Sequence, residues 1–354
     1  MRRQSRQIFL GATPIGGDAP ISVQSMCNTD TKDVEATVSQ ILDLEEAGCD
    51  IIRLAVNSLE DAKALPKIRD RIHIPIISDI QFDYKLALYA IDHGTEGLRL
   101  NPGNIGADWK VKEVVGACKR EGVPIRVGVN SGSIKQAFLD KYQGVNENSI
   151  CYSALEQVRL LEKEGFYDIK VALKSSDVGL SVASYRKFAQ MTDYPLHLGI
   201  TEAGPLYAGT VKSAIGIGSL LLEGIGDTLR CSLSADPVEE VKLGREILKS
   251  LGLLKDGIEI VSCPTCARTK IDLFGLVEEA QKRLGPDLGN LKIAIMGCVV
   301  NGPGEAREAD YGITGGEGQG VIFKKGQIVD KVPEEDLLET LIERIKKDQH
   351  ESLK

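Results

Sequence analysis

The stretch "DIIRLAVNSLEDAKALPKIRDRIHIPIISDI" (50–80) sets two apolar, β-branched runs, residues 50–56 and 74–80, on either side of a segment with helical spacing. Each run ends in polar residues, and a helix follows. The same unit recurs from residue 20 to about 235, with strands at "ISVQSM" (21–26), "EGLRLN" (96–101), "IRVGVN" (125–130), "DIKVALK" (168–174), "PLHLGIT" (195–201) and "DTLRCSL" (227–233). Intervening stretches such as "DVEATVSQILDLEEAGC" carry helical spacing with glycine near the stop. Eight strand–helix units predict an α/β fold, a parallel (β/α)8 TIM-like barrel over residues 1–254. A doubly wound open sheet is the alternative architecture.

Beyond a "KDG" linker (255–257) the pattern changes. A strand "IEIVSC", a helix "DLFGLVEEAQKRLG", a strand "LKIAIMGC", a glycine-rich stretch, a hairpin "GVIFKKGQIVDKV" and a closing helix predict a smaller α+β domain over 255–354. "GITGGEGQG" (312–320) lacks the Lys-Ser/Thr of a phosphate-binding P-loop and reads as a tight turn.

The chain has 354 residues and a net charge of −8. That balance argues against a broad nucleic-acid surface, which carries a basic excess. No apolar run reaches the roughly eighteen residues of a membrane helix, and the start shows no signal peptide, so a cytoplasmic protein without a membrane partner is expected. Eight cysteines in so large a chain suit thiols or metal ligands better than disulfides. Cys49, Cys118 and Cys151 read as small residues in or beside helices. Cys27 and Cys231 lie near strand ends, where a site role is possible, although burial is the simpler reading.

A (β/α)8 barrel works at the C-terminal ends of its strands. Those positions hold Arg53, Asp79, Gln81, Arg99, Asn101, Arg126, Asn130, Lys174, Thr201, Glu202, Arg230 and Ser232. Several cations converging on one cavity call for a polyanion, and arginine's planar fork favours phosphate. The competing reading pairs them with Asp79 and Glu202 as structural salt bridges. "NPGNIG" (101–106) could expose backbone N–H groups to a phosphate.

In the second domain Cys263 and Cys266 form C-x2-C after a strand, and Cys298 ends the next apolar run. A Cys3His zinc site lacks a nearby histidine, since the four histidines are at 73, 93, 197 and 350. A redox dithiol needs no third cysteine. A [4Fe–4S] cluster takes four ligands, and three thiolates would leave one iron with an exchangeable ligand. Glu305, past "NGPG", is the nearest carboxylate; a surface glutamate is its bland reading. Spacing alone ranks iron–sulfur above structural zinc; the competing readings are a pterin-type or other phosphate-binding barrel with a structural zinc knob, and an iron–sulfur sensor without turnover.

"CPTC" (263–266) with "GCVVNGPGEA" (297–306) resembles the signature of the bacterial 4-hydroxy-3-methylbut-2-en-1-yl diphosphate synthases of the non-mevalonate isoprenoid pathway. "PIGGDAPISVQSM", "LRLNPGNIG", "PLHLGITEAG" and "SADPVEEVK" extend the resemblance over almost the entire chain. It implies reductive dehydroxylation and ring opening of 2-C-methyl-D-erythritol 2,4-cyclodiphosphate to the linear allylic diphosphate. It further implies a [4Fe–4S] cluster on Cys263, Cys266, Cys298 and Glu305, a head-to-tail homodimer, and flavodoxin or ferredoxin as electron donor. Arg53, Arg99, Asn101, Arg126, Asn130 and Lys174 match diphosphate-binding positions, with Gln81 and Ser232 beside them. Glu202 matches the acidic residue facing the ring, and Asn301 a polar neighbour of the cluster. The chain departs from the family at "DIQF" (79–82), where Gln81 replaces a histidine, and at Cys27, where threonine is usual. A glutamine donates to phosphate but carries no charge or proton at neutral pH.

Overall fold

The structure, a computed structural model, describes residues 2–255, 257–285, 288–298, 307–316 and 318–352. The chain forms two compact units, Met1–Leu253 and Leu254–Lys354.

The first unit opens with an antiparallel hairpin, β1 (Ile8–Leu10) and β2 (Thr13–Ile15). Eight parallel strands follow: β3 (Ser22–Met26), β4 (Ile51–Ala55), β5 (Ile76–Asp79), β6 (Gly97–Arg99), β7 (Ile125–Asn130), β8 (Ile169–Lys174), β9 (His197–Leu198) and β10 (Thr228–Leu229). Their order is β8-β7-β6-β5-β4-β3-β10-β9, and a parallel bridge between Val171 and Leu196 joins the two ends. Consecutive strands are therefore neighbours all the way round. The (β/α)8 expectation holds, and the open sheet is ruled out.

The polar residues after the strands have a local task as well. Asp33, Ser58, Asp83, Asp177 and Asp236 each cap the following helix, their side-chain oxygens accepting from N–H groups of its first turn. Ser58 and Asp61 complete a reciprocal capping box. Caps at the strand–helix turns hold the mouth loops short and fixed.

The hairpin closes the opposite end of the barrel. Ile8, Leu10 and Ile15 form one buried cluster with Ile51 of β4 and Ile77 of β5. Gly97 makes the fit possible, because a Cβ there would lie 2.4 Å from Leu10 Cδ2. Arg2 ties the preceding segment to Asp227 at 3.0 Å, and Arg3 donates to the carbonyls of Ala189, Thr192 and Tyr194. Two three-residue strands are too short for periodicity to reveal them in the sequence.

In the second unit, β11 (Glu259–Ser262), β12 (Lys292–Met296), β13 (Tyr311–Gly315), β14 (Gln319–Lys324) and β15 (Gln327–Pro333) lie in chain order in one sheet. The first three run parallel and the last two antiparallel. Helices Leu273–Arg283 and Leu337–Ser352 pack on the sheet through Leu273, Ala280, Leu337, Leu341 and Ile345, against Ile293, Ile313 and Ile322. One expectation is corrected. The first half of "GITGGEGQG" is not a turn but most of β13, the middle strand of this sheet. Its glycines accept close neighbours, since a Cβ on Gly315 would lie 2.1 Å from Ile271 Cγ2. Packing decides the conformation there.

Leu10→Ala leaves a cavity between the hairpin and the barrel floor. It is expected to cost about 2–5 kcal/mol, read as a lower denaturant midpoint for the barrel's unfolding transition.

Candidate active site

Side chains two residues apart on a strand share a face. In β8 that places Lys170 and Lys174 on the same side. The parallel register then runs Asp79–Arg99–Arg126–Lys170 across four neighbouring strands. Arg53 enters from β4, with Nε 3.6 Å from Asp79 Oδ2. Arg99 Nη1 lies 3.3 Å from Asp79 Oδ1 and donates to Gln81 Oε1 at 2.8 Å. Gln81 completes the triangle, its Nε2 donating to Asp79 Oδ1 at 2.9 Å.

Met26, at the end of β3, presents its Sδ to Arg53, 2.8 Å from Nη2 and 3.1 Å from Nε. Arg230, following β10, donates to Glu240 Oε2 from Nε and Nη2 at 3.3 and 3.2 Å. Lys174 lies against Gly199, where an added Cβ would fall 2.7 Å from Nζ. Arg126 is 4% exposed, and its Nε has no partner among the described residues.

Asp79 and Glu240 thus face Arg53, Arg99, Arg126, Arg230 and Lys174, while Asp227 acts on Lys170. Burial, reinforced by neighbouring arginines, holds Arg126 and Lys174 well below their usual range. Burial also lowers Arg53 to about 10, although Asp79 works against it, and lowers Lys170 to about 7. The free barrel carries more positive charge than its own groups offset. An anion entering the mouth relieves that imbalance.

The other sequence candidates sit around this cluster. Asn101 Oδ1 accepts the Gly128 N–H at 3.1 Å, which ties the end of one strand to the middle of β7. Asn130 ends β7 exposed, its N–H on Ser133 Oγ at 3.1 Å. Ser232 is half-buried. The Thr201 N–H meets the Ser175 carbonyl at 3.2 Å. Glu202 is exposed, with a left-handed φ of +50° that glutamate seldom adopts. Asn130 is the register partner of Lys174. Among the described residues, no side-chain hydrogen bond links Asn130, Ser232 or Glu202 to the cation cluster, and Glu202 forms no salt bridge with its cations.

"NPGNIG" is corrected. Pro102–Ile105 forms a short helix, the Gly103 N–H is taken by Gln157 Oε1 at 2.7 Å, and the Asn104 N–H by the Asn101 carbonyl. Sequence reasoning missed Lys170, His197, Met26 and Glu240. Alternation back from Lys174 was the available signal for Lys170. Glu240 sits on the helix after β10, and strand spacing is silent about it.

The cysteines divide into two kinds. In the barrel, burial pushes Cys27, Cys49, Cys151 and Cys231 up to about 12 and raises Cys118 as well. They are buried thiols, and the strand-end positions of Cys27 and Cys231 give them no nucleophilic or ligand character.

Cys263, Cys266 and Cys298 are arranged differently. β11 and β12 are parallel neighbours, with Ser262 in register with Ile295, so Cys263 and Cys298 leave the same end of adjacent strands. The Gly297 N–H donates to Cys263 Sγ at 3.2 Å. The C-x2-C turn folds onto that end, its Lys270 N–H on the Gly297 carbonyl at 3.0 Å. The Arg268 backbone N–H, followed by the Arg268 charge and the Thr269 hydroxyl, lowers the exposed Cys266 thiol below its ordinary value.

Among the described residues, no three His, Cys, Asp or Glu side chains are gathered around a single metal ion. Soft sulfurs, one of them accepting a backbone N–H, would suit an iron–sulfur centre. Glu305 and Asn301 lie outside the described residues.

A parallel barrel with a buried cation cluster, followed by a separate unit that carries three cysteines at strand ends and in a turn, has the build of an enzyme. Residues 5–245 match the model of the GcpE TIM-barrel domain, and residues 259–347 that of the GcpE protein C-terminal domain. The chain belongs to the GcpE family and is an enzyme of that family.

A protein of Clostridium perfringens named 4-hydroxy-3-methylbut-2-en-1-yl diphosphate synthase (flavodoxin) is 56% identical over 97% of this chain and 99% of its own length. Proteins of the same name from Caldanaerobacter subterraneus and Geobacter sulfurreducens are 56% identical over 98% of both chains. Among solved structures, dihydropteroate synthase from Stenotrophomonas maltophilia aligns with a TM-score of 0.52 at 14% identity, over 70% of this chain and 97% of its own. The Yersinia pestis dihydropteroate synthase–sulfonamide complex aligns at 0.51 and 8% identity, over 70% and 99%. That likeness is one of fold. No helix among the described residues is long and apolar enough to cross a membrane.

Two outcomes follow from the site. Arg126→Met removes a buried cation that has no carboxylate of its own. It should raise barrel stability by on the order of 1–4 kcal/mol in urea unfolding, while weakening inorganic pyrophosphate binding at least about tenfold. In cluster-free protein at pH 7, iodoacetamide should label Cys266 before any barrel cysteine, by roughly tenfold or more in rate, as read by peptide mass spectrometry.

Proposed function

We propose that this enzyme carries out the reaction for which its relatives are named, forming 4-hydroxy-3-methylbut-2-enyl diphosphate by reductive ring opening and dehydroxylation of 2-C-methyl-D-erythritol 2,4-cyclodiphosphate. The observation that carries this reading is the buried excess of cations around Asp79, a match for a compact diphosphate. In this reading the barrel, residues 1–254, binds substrate, and residues 255–354 carry the redox centre.

Arg53, Arg99, Arg126 and Lys174 hold the two phosphoryl groups. Bidentate guanidinium contacts supply orientation and Lys174 a point charge. Gln81 keeps Arg99 and Asp79 in place through its two hydrogen bonds. Asn101 reaches the same site from the strand before β7, Asn130 and Ser232 donate at its rim, and Asn301 lies beside the cluster. Glu202 faces the ring and either orients the departing hydroxyl or delivers the proton that leaves with it as water. Overall, two electrons and protons enter and one water leaves.

Cys263, Cys266 and Cys298, with Glu305 as a displaceable oxygen ligand, hold a [4Fe–4S] cluster. When bound, that cluster supplies single-electron reduction and Lewis acidity at its unique iron. The lowered Cys266 thiol and the N–H bond to Cys263 Sγ support a thiolate role. Electrons come from a flavodoxin, the donor in the relatives' names, or from a ferredoxin. The working form is a head-to-tail homodimer in the cytoplasm.

Protein purified without oxygen should contain about four irons and four acid-labile sulfides per chain. With reduced flavodoxin it should convert the cyclic diphosphate to the linear allylic diphosphate. One zinc and no sulfide, or no turnover by the iron-loaded protein, would overturn the reading.

A further inference from the structure

Below the residues given to the substrate lies a lysine for which the reaction has no use. Lys170 projects into the barrel four residues before Lys174 on β8; it is 2% exposed, and its Nζ has no partner among the described residues. Its register partner on β7 is Arg126, whose Nε is also unpartnered. Arg53 approaches from β4, and Lys174 lies above it on its own strand. His197 comes from β9, with Nδ1 on Thr228 Oγ1 at 2.8 Å and a bare Nε2.

The carboxylate that acts on Lys170 is Asp227. It is already engaged by Arg2, by the Ser5 hydroxyl at 2.7 Å and by the Leu196 N–H at 2.8 Å. A cavity of about 10 Å³, lined by Ile8, Leu10, Arg126 and Lys170 among others, adjoins this floor and has room for about one water.

A permanent charge at Lys170 would stand among cations, with no carboxylate to itself. Burial and Arg126 accordingly hold the amine down at about 7. A diphosphate at the mouth reverses the sign of the field that Lys170 feels, and the protonated form becomes the favoured one.

We infer that Lys170 is a charge-compensating positioning residue, neutral in the free barrel and protonated when a diphosphate occupies the mouth, so that substrate binding draws one proton from solvent. It acts through Arg126 and Lys174 and touches no reacting atom. The inference rests on the proposed diphosphate substrate. Linkage gives the sign: affinity is constant below the free-state pKa and falls by up to about tenfold per pH unit above it, until the bound-state pKa is passed.

The test is titration calorimetry of the cluster-loaded, unreduced enzyme with the cyclic diphosphate at pH 8, in two buffers of different ionisation enthalpy. Both phosphorus atoms of that ligand are fully esterified apart from one strongly acidic oxygen each, so no ligand proton interferes. Wild type should take up most of one proton per bound ligand, about 0.5–1. Lys170→Met should take up essentially none and lose the pH dependence of Kd between pH 7 and 9. Lys170→Arg, permanently charged, should also show no uptake, which keeps the test open if the methionine variant fails to fold. Absence of binding would overturn the diphosphate reading itself. Binding without uptake in wild type would overturn the Lys170 inference alone. Uptake that persists in either folded variant would place the proton on another group held down by burial, Lys174 or His197, and would overturn it too.

Discussion

Unbalanced positive charge inside a closed barrel is the constraint on which the rest of this structure depends. Water cannot surround Arg126, Lys170 and Lys174 there, and Asp79 already serves Arg53, Arg99 and Gln81. A buried cation without a carboxylate is normally replaced by an apolar residue or neutralised. A chain that keeps several together has traded stability for a site complementary to an anion. The neighbourhood holds them in place with polar and soft partners that are easily exchanged: a thioether for Arg53, an amide for Arg99, and the open backbone of Gly199 beside Lys174.

Rigidity elsewhere makes this arrangement tolerable. The β1–β2 hairpin fills one end of the barrel with aliphatic side chains, and capped helices follow the strands at the other. Repulsion among the cations therefore does not spread the strands. Gln81 belongs to the same economy of design. As an uncharged bridge between Asp79 and Arg99 it fixes both orientations at any pH near neutral, where an imidazole would titrate.

Environment also separates cysteines that composition treats alike. Five are packed among barrel side chains, where the thiolate is disfavoured, and three leave the ends of strands or a turn in the second unit. In the second kind, backbone N–H groups reach the sulfurs of Cys263 and Cys266 without the deep burial that raises the barrel thiols. At Cys266 the Arg268 charge adds to that effect and holds the thiol below its ordinary value.

The sequence by itself determined the fold class, because eight apolar runs with intervening helical segments allow few other solutions and period-two and period-3.6 patterns are local. Runs of two or three residues carry no such period, so the β1–β2 hairpin was invisible. The glycines of Tyr311–Gly315 read as a turn until their neighbours were known. Arg53, Arg99, Arg126 and Lys174 were legible as charges at strand ends, yet the convergence of the three arginines on Asp79, with Lys174 close by, depends on the closed barrel. Lys170 could be counted from Lys174 by alternation, but its lack of a partner could not. Hydrogen bonding and burial are relations between distant segments, and tertiary structure alone decides them.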